Sequence, residues 1–428
     1  MFVLIQVLAI VLAFVSHEHE AIATSLVSQI SKHTDAAKPL YSTHAYLSVD
    51  WSSQQNGVPI ALPQKEQNFL IDVDAPFIWH YCIPRQESCE TCPNPLTCRE
   101  SPCTDLRTTF SYQSPLCPKL TNSSIFEGYN DCELCPVNVV HPVTGACSQV
   151  IPTYDEIKFH LTDSGRNAAY DLYITNPTAA CAAPWTFDTF PANVFGVIAL
   201  STSQYAIPAY LHDSVEKVIG LCLPSTVTGH GALFLGSGPY YLPPQYTLDV
   251  RSFLTYTALL KQPNSFGYFI GVNAIVIKDR SINVPVNATT KISTLTPYTE
   301  LRTDIYNNVV RRFLKVTKRI PPAELVAPFG ACFNTSVNGT NVGIKVPNVD
   351  LVLQDGKKWT ISTANSIKQM TEDVACLALV DGGPTSEHAI VIGTYQFEDN
   401  FLLFNLENST LGFSSSLLRR QTSCSAFN

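Results

Sequence analysis

Fourteen cysteines constrain the fold of this 428-residue chain more than any other feature. The count is even, and nine of them fall between Cys82 and Cys147, a loop-rich stretch with little regular apolar patterning. Crowded cysteines in a secreted chain form disulfides, which stabilise segments that have little core of their own. The sequence therefore predicts an oxidising compartment and up to seven disulfides.

A zinc site is the alternative interpretation of the same cysteines. Cys89 and Cys92, and Cys132 and Cys135, have the two-residue spacing of zinc-binding motifs. Secretion and the crowding of neighbouring cysteines favour disulfides. We therefore expect no metal and no organic cofactor.

The first residues have the features of a secretory leader. Residues 2–15 are an apolar run, and Ala21 and Ala23 give the small-x-small pattern that signal peptidase accepts. A membrane anchor is the alternative, but the run is shorter than the ~20 residues that span a bilayer. We predict a signal peptide at residues 1–23 and a mature protein secreted to the extracellular space or the cell-wall apoplast.

Glycosylation sequons agree with secretion. The Asn-X-Ser/Thr pattern, with Pro excluded at X, occurs at Asn122, Asn287, Asn334, Asn338 and Asn408. Asn176 is excluded because Pro177 follows it. We therefore predict a glycoprotein.

Composition favours an all-β extracellular protein. Charged residues are 14%, and the chain has 29 prolines and 20 glycines, typical of short strands separated by turns. The net charge of −8 gives no global basic field, so nucleic acid is not an expected partner. The local exception is a basic cluster at Arg311, Arg312, Lys315, Lys318 and Arg319.

Periodicity locates the elements and a domain boundary. Residues 69–73, 157–161 and 266–272 alternate with the period of half-buried strands. The best helix is 304–314, with Thr303 available as an N-cap. The Gly- and Pro-rich stretch 236–244 is the most linker-like interior segment. We place an N-terminal lobe at 24–240 and a C-terminal lobe at 241–428.

Several long motifs resemble one family. Residues 69–79 (FLIDVDAPFIW) and 291–301 (KISTLTPYTEL) are similar to the two catalytic hairpins of pepsin-like aspartic proteases. The segments GLCLPS (220–225), LTYT (254–257), APFGACF (327–333) and LGFSSSLL (411–418) resemble a plant subgroup. That subgroup contains extracellular dermal glycoprotein, basic 7S globulin, and the xylanase and xyloglucan-endoglucanase inhibitor proteins.

The resemblance implies a fold and two disulfides. The fold is all-β and bilobal, with two six-stranded-barrel-type lobes and few short helices. The implied disulfides are Cys332–Cys376 and Cys222–Cys424, of which the second ties the C-terminal tail to the first lobe. The connectivity of the cysteines from Cys82 to Cys181 stays open.

Both catalytic motifs of the family are altered. Asp74-Ala75-Pro76 and Ser293-Thr294-Leu295 stand where the resemblance puts the two Asp-Thr/Ser-Gly turns. Aspartic proteolysis needs two carboxyl groups that share one proton, and a serine hydroxyl cannot take the second role. We expect a protein without protease activity, in which Asp74 is a relic and Asp72 is structural.

The resemblance also implies inhibitory contacts on two segments. In related inhibitors, a basic side chain from the tail enters the cleft of a microbial glycoside hydrolase, whose catalytic carboxylates it contacts. The tail candidates here are Arg419, Arg420 and Gln421, and the alternative is that they are solvated tail residues. Lys318 and Arg319 are the second candidates, although basic residues near a helix C-terminus also complement the helix dipole.

The xylanase inhibitors of the plant subgroup carry a key His in this tail, whereas no His follows His388 here. The resemblance therefore implies a xyloglucan-specific endo-β-glucanase as the partner rather than a xylanase. The alternatives are a peptide-binding or storage protein of the basic 7S globulin type and an active aspartic endopeptidase. We expect a monomer without a membrane anchor, with an oligomer left open.

Overall fold

The computed structural model of the chain describes residues 26–34, 39–47, 49–55, 58–63, 66–84, 92–109, 112, 117–118, 134–163, 169–211, 215–244, 246–337, 340–341 and 344–427. The predicted leader, the sequons at Asn122 and Asn338, and Cys89 and Cys132 lie outside these residues.

Strands dominate the described chain, as the composition predicts. The strands of the first half are β1 Leu26–His33, β2 Leu40–Leu47, β3 Val49–Gln55, β4 Val58–Pro63, β5 Glu66–Asp72, β6 Ile78–Tyr81, β7 Asn94–Pro95, β8 Val137–Val140, β9 Cys147–Asp163, β10 Ala169–Ala182, β11 Val194–Ala199, β12 Val218–Cys222 and β13 Gly231–Leu235.

The second half continues with short strands. They are β14 Thr255–Ala258, β15 Tyr268–Ile270, β16 Val272–Ile277, β17 Arg280–Asn283, β18 Thr290–Ile292, β19 Thr299–Leu301, β20 Cys332–Asn334, β21 Ser336–Val337, β22 Thr340–Asn341, β23 Val349–Leu353, β24 Lys358–Ile361, β25 Ile367–Gln369, β26 Val374–Leu377, β27 Leu379–Asp381, β28 Ile390–Ile392, β29 Phe401–Asn405 and β30 Thr410–Phe413.

The helices of the described residues are short, so the predicted all-β class with few helices is confirmed. They are α1 Ser101–Thr108, α2 Ile207–Tyr210, α3 Thr303–Val316 and α4 Thr363–Ser366. Short 3-10 turns follow at Pro184–Phe187, Val250–Phe253, Thr394–Gln396, Leu417–Arg420 and Cys424–Ala426.

Helix α3 differs from its prediction at its start. It buries the expected apolar face through Ile305, Val309 and Phe313. Thr303 is inside the helix instead of capping it, because its hydroxyl donates to Asp381 at 2.6 Å. The preceding Arg302 gives no side-chain cap and instead contacts Asp304.

The largest sheet contains strands of both halves. Its order is β14-β30-β29-β12-β13-β1-β2-β5-β11-β6-β10-β9-β7, with β8 paired to β9. The second half adds the sheets β15-β18-β28-β19-β27 and β17-β16-β23-β24. One apolar core cluster runs through both halves, from Phe69 and Phe159 to Tyr268 and Phe313. The shared sheet and core hold the two halves together.

Disulfides fix the cysteine-rich stretch. Cys82 is bonded to Cys181, and the same stretch contains the bonds Cys103–Cys135 and Cys117–Cys147. Cys92, a ligand in the zinc alternative, is also disulfide-bonded. Since a thiolate is the zinc ligand, these cysteines cannot bind the metal while they are oxidised.

Among the described residues, no helix has the length and apolar character needed to cross a bilayer.

Candidate functional site

The same strand arrangement occurs once in each half. Strand β11 pairs parallel with β5 and antiparallel with β6, and β6 pairs parallel with β10. In the second half, β28 pairs parallel with β18 and antiparallel with β19, and β19 pairs parallel with β27. The turn between β5 and β6 is therefore equivalent to the turn between β18 and β19.

This repeat identifies the equivalent residues of the two turns. Ile78, the first residue of β6, follows Asp72 at the same spacing as Thr299, the first residue of β19, follows Ser293. Asp72 is therefore the counterpart of Ser293.

Hydrogen bonds inside the turns agree with this equivalence. The Oδ1 atom of Asp72 accepts the backbone N–H of Asp74 at 2.8 Å. The Oγ atom of Ser293 accepts the N–H groups of Leu295 and Thr296 at 3.2 and 3.1 Å. Each side chain accepts from the residue two positions later, so Asp74 is the counterpart of Leu295.

The interpretation that put Asp74 at the carboxyl position is therefore wrong by two residues. Asp72 occupies that position, although the sequence analysis assigned it a structural role. The two turns touch through Thr294, whose Oγ1 accepts the backbone N–H of Val73 at 3.2 Å. This contact brings Asp72 and Ser293 to the same junction between the halves.

Asp74 is not a free carboxylate. It forms an ion pair with Lys291, which lies in β18 just before the second turn. A Cβ atom at Gly267 would lie 2.3 Å from Asp74 Oδ1, so a larger residue would collide with the carboxylate. The Asp74–Lys291 pair thus fills space at the junction of the turns and links the two halves.

The carboxyl of Asp72 is shifted toward its protonated form. Burial raises the pKa of Asp72 to about 6, and the charge of Asp74 acts in the same direction. The N–H donated by Asp74 and the ammonium of Lys291 oppose that shift. The junction therefore contains one perturbed carboxyl, one hydroxyl and one internal ion pair.

The tail candidates lie on an exposed turn with a fixed base. Arg419 and Arg420 end the 3-10 turn Leu417–Arg420, and both are exposed, as is Gln421 with a left-handed φ of 59°. The guanidinium of Arg420 stacks over Phe253, with 4.2 Å from its Cζ atom to the ring centroid. The base of the tail is held by the disulfide Cys222–Cys424.

The second pair of candidates lies after α3. Lys318 and Arg319 are exposed and lead into the connection to β20. Their basic neighbour Arg312 donates its Nε–H to the carbonyl of Ile277 at 3.0 Å, so part of the predicted basic cluster has a structural contact.

The remaining predicted sites are two disulfides and the glycosylation sequons. The structure joins Cys332 to Cys376 as well as Cys222 to Cys424. Among the sequon residues that the structure describes, Asn287 and Asn408 are exposed, whereas Asn334 is half-buried and accepts the N–H of Ser336 at 2.8 Å.

Sequence analysis missed Lys291 and misassigned Asp72. The available signal was the internal repeat: Ile71 directly precedes Asp72, as Ile292 directly precedes Ser293. The first residue after each apolar run is Asp72 in one half and Ser293 in the other, and these are the equivalent positions.

Comparisons with known proteins cover most of the chain. A family described as "Xylanase inhibitor N-terminal" matches residues 58–237, and "Xylanase inhibitor C-terminal" matches residues 267–415. The probable aspartic proteinase GIP2 of Nicotiana benthamiana is 32% identical over 402 residues, which are 87% of this chain and 86% of that protein. Gamma conglutin 1 of Prunus dulcis is 34% identical over 372 residues, which are 84% of this chain and 83% of that protein.

A solved structure agrees with these matches. The crystal structure of edgp superposes with a TM-score of 0.76 at 27% identity, covering 94% of this chain and 98% of that one. The bilobal pepsin-like fold expected from the resemblance is thereby confirmed. The equivalent turns, the matched halves and the overall superposition lead to one conclusion: the chain belongs to the xylanase-inhibitor family of aspartic-protease homologues.

Proposed function

We propose that this protein is a secreted, glycosylated and catalytically inactive aspartic-protease homologue that binds and inhibits a microbial glycoside hydrolase in plant defence. The target proposed is a xyloglucan-specific endoglucanase rather than a xylanase. The observation that carries the loss of protease activity is the serine at position 293, the counterpart of Asp72.

The chemistry of the junction supports inactivity. An aspartic protease uses one carboxyl as base on a water molecule while the other donates a proton to the substrate carbonyl. Ser293 has no proton that it can cycle near physiological pH. In the ion pair beside Asp72, the carboxylate of Asp74 raises the pKa of Asp72 and the ammonium of Lys291 lowers it to a smaller extent, and neither group supplies the missing acid.

Restoring the second carboxyl alone is expected to fail. In Ser293→Asp, the ion pair between Asp74 and Lys291 would remain at the junction. Asp74 and Leu295 would also still occupy the two turn positions that are glycine in active enzymes. We expect no pepstatin-sensitive cleavage of a denatured protein substrate at acid pH, with pepsin as the positive control. Cleavage by this single variant that pepstatin abolishes would contradict the assignment.

The exposed tail supports the inhibitory role. Glycoside hydrolases hold two carboxyl groups in their cleft, and a guanidinium makes charge-assisted contacts with such groups. The contact between the Arg420 guanidinium and the ring of Phe253 restricts the side chain to one region of the tail surface. A side chain that is already oriented loses less conformational freedom on binding.

Arg420→Ala should therefore weaken inhibition of a fungal or oomycete xyloglucan-specific endoglucanase. We expect a loss of about 1.5–3 kcal/mol, or roughly 10- to 150-fold in the inhibition constant, from the lost charged contact. The measurement is titration of each variant into the enzyme while the release of reducing sugar is followed. Arg280→Ala, at an exposed position of the hairpin β16–β17, is the matched control and should inhibit like the unmodified protein.

The same titration tests the other candidates. Unchanged inhibition by Arg420→Ala, with a loss in Lys318→Ala/Arg319→Ala, would move the contact to the connection after α3. Equal inhibition by all variants would reject both segments as the inhibitory contact.

A storage or peptide-binding role is the second candidate function. The similarity to basic 7S globulin 2 of Glycine max, 27% identical over 408 residues, favours it, since this role was expected for a protein of the basic 7S globulin type. No loss of endoglucanase activity at micromolar excess of the unmodified protein would support this candidate over the inhibitor.

A further inference from the structure

A cavity of about 470 Å³ contains three charged side chains and borders the second catalytic-type turn through Tyr298. Lys32 comes from β1, Lys368 from β25, and Glu398 from the segment between the turn Thr394–Gln396 and β29. These elements come from both ends of the chain. No contact proposed for hydrolase inhibition involves them.

The cavity lining has two cations, Lys32 and Lys368, and one anion, Glu398. Lys32 and Glu398 form a buried ion pair at 2.9 Å, with each side chain 5% exposed. Lys32 also donates to the carbonyl of Ser225 at 2.9 Å, and Tyr41 donates its hydroxyl to Glu398 at 2.5 Å. Both members of the pair are therefore satisfied from within the fold.

Lys368 is the remaining cation. Its Nζ lies 5.2 Å from the ring centroid of Tyr395, and no carboxylate in the described part of the chain forms an ion pair with it. Burial and the charge of Lys32 lower the pKa of Lys368. A bound anion would offset that repulsion, because two lysines face one carboxylate in this cavity.

One wall of the cavity is rich in hydroxyl groups. Thr34, Ser225, Thr226 and Thr228 line it. Ser425 fixes this wall, since its Oγ accepts the N–H of Ser225 at 3.0 Å, close to the disulfide Cys222–Cys424. Hydroxyl side chains both donate and accept hydrogen bonds, which suits a ligand that has hydroxyl groups of its own.

Two aromatic rings give the cavity an apolar surface. Tyr298 and Tyr395 line the cavity with ring centroids 5.8 Å apart. The hydroxyl of Tyr395 donates to the carbonyl of Ile367 at 2.5 Å, which holds that ring in place. Aromatic faces contact apolar C–H surfaces, and binding cavities typically combine such faces with a few convergent polar groups.

We propose that this cavity binds a small polyhydroxylated carboxylate, namely a uronic acid, free or at the end of an oligosaccharide. Lys368 contacts the carboxylate, the Thr and Ser wall contacts the sugar hydroxyls, and the tyrosines contact a face of the ring. A bare inorganic anion would leave most of the 470 Å³ unfilled. A neutral sugar would leave Lys368 without an anionic partner.

Titration calorimetry on the full secreted protein tests the proposal. The probes are D-galacturonate, D-galactose, which has the hydroxyls without the charge, and acetate, which has the charge without the hydroxyls. We expect galacturonate to bind at least about tenfold more tightly than either control, as a charged hydrogen bond combined with ring contacts implies. Equal binding of galacturonate and galactose, or no binding of galacturonate at millimolar concentration, would overturn the proposal.

Variants locate the binding. Lys368→Met should weaken galacturonate binding about tenfold or more, whereas Lys261→Met removes one exposed lysine elsewhere and should leave it unchanged. Thr228→Val, at an exposed position of the hydroxyl wall, should weaken binding a few-fold without disturbing the core. If Lys368→Met bound galacturonate as tightly as Lys261→Met does, this cavity would be excluded as the site. Unchanged affinity in the single variant Thr228→Val would contradict the contact between the hydroxyl wall and the sugar.

Discussion

Replacing Cys222 and Cys424 by alanine is expected to lower the free energy of unfolding by about 4–5 kcal/mol. The two cysteines are separated by 202 residues and both are fully buried. A crosslink that closes so long a loop removes much conformational freedom from the unfolded chain, and the stabilisation grows with loop length. Alanine also leaves space in the apolar cluster that contains both cysteines, Phe234 and Phe401.

The tail should lose its fixed position in this variant. Besides the disulfide, the tail has hydrogen bonds to Asp399, whose Oδ1 accepts the N–H of Cys424 and the hydroxyl of Ser423, each at 2.8 Å. Further hydrogen bonds join Ser425 to Ser225 and the N–H of Phe427 to the carbonyl of His230. The neutral donors to Asp399 contribute less than the covalent bond. Cys222–Cys424 is the covalent anchor of the turn that presents Arg419 and Arg420, so its loss should loosen that turn.

Urea unfolding under non-reducing conditions measures this effect. The matched control is Cys332→Ala/Cys376→Ala, which opens a loop of only 44 residues and should cost about 1 kcal/mol less by the same loop-length relation. A loss below about 1 kcal/mol for the Cys222/Cys424 variant would contradict a stabilising role for the tail crosslink.

Local pattern was enough to predict where β5 and α3 lie in the sequence. Helix α3 follows its apolar period and buries Ile305 and Phe313 as its spacing indicates. Strand β5 lies where it was predicted, but its alternation was wrong, since the consecutive residues Phe69, Leu70 and Ile71 are all fully buried. Such patterns span only a few residues, so they can be interpreted without knowing which distant segments pack against them. The start of α3 was missed because Thr303 contacts Asp381, a residue 78 positions away.

The site depended on alignment between distant segments. Asp72 and Asp74 lie two residues apart and are chemically identical, so composition could not decide which one matches Ser293. Strand register decided it, and register is a property of pairings between β5, β11 and β6. Lys291 could not be predicted, because its partner Asp74 is 217 residues away.

The buried pair between Lys32 and Glu398 was equally invisible to sequence reasoning, since 366 residues separate the partners. Two ions in the interior require good geometry and additional hydrogen bonds to offset their desolvation. Here Ser225 contacts the ammonium and Tyr41 contacts the carboxylate. Burial still raises the pKa of Glu398, whereas Lys32, Tyr41 and Lys368 lower it.

Removing only the cation of this pair should be strongly destabilising. Lys32→Met keeps an unbranched side chain of similar length but leaves Glu398 buried without its ammonium partner. We expect the free energy of unfolding to fall by about 3–5 kcal/mol, the usual cost of breaking a buried ion pair on one side. The measurement is urea unfolding near neutral pH, where an unpaired carboxyl must be either desolvated as an anion or protonated at a cost.

Removing both charges should restore most of that loss. In Lys32→Met/Glu398→Gln, the amide oxygen can still accept from Tyr41, and no buried charge remains, so we expect a free energy of unfolding within about 1–2 kcal/mol of the unmodified protein. Lys158→Met breaks the partly exposed pair with Asp171 and should cost at most about 1 kcal/mol. If Lys32→Met cost no more than Lys158→Met, or the double variant were as unstable as the single one, the buried pair would not behave as a coupled unit. The stability of the double variant thus separates the cost of an unpaired buried charge from the contribution of the pair itself.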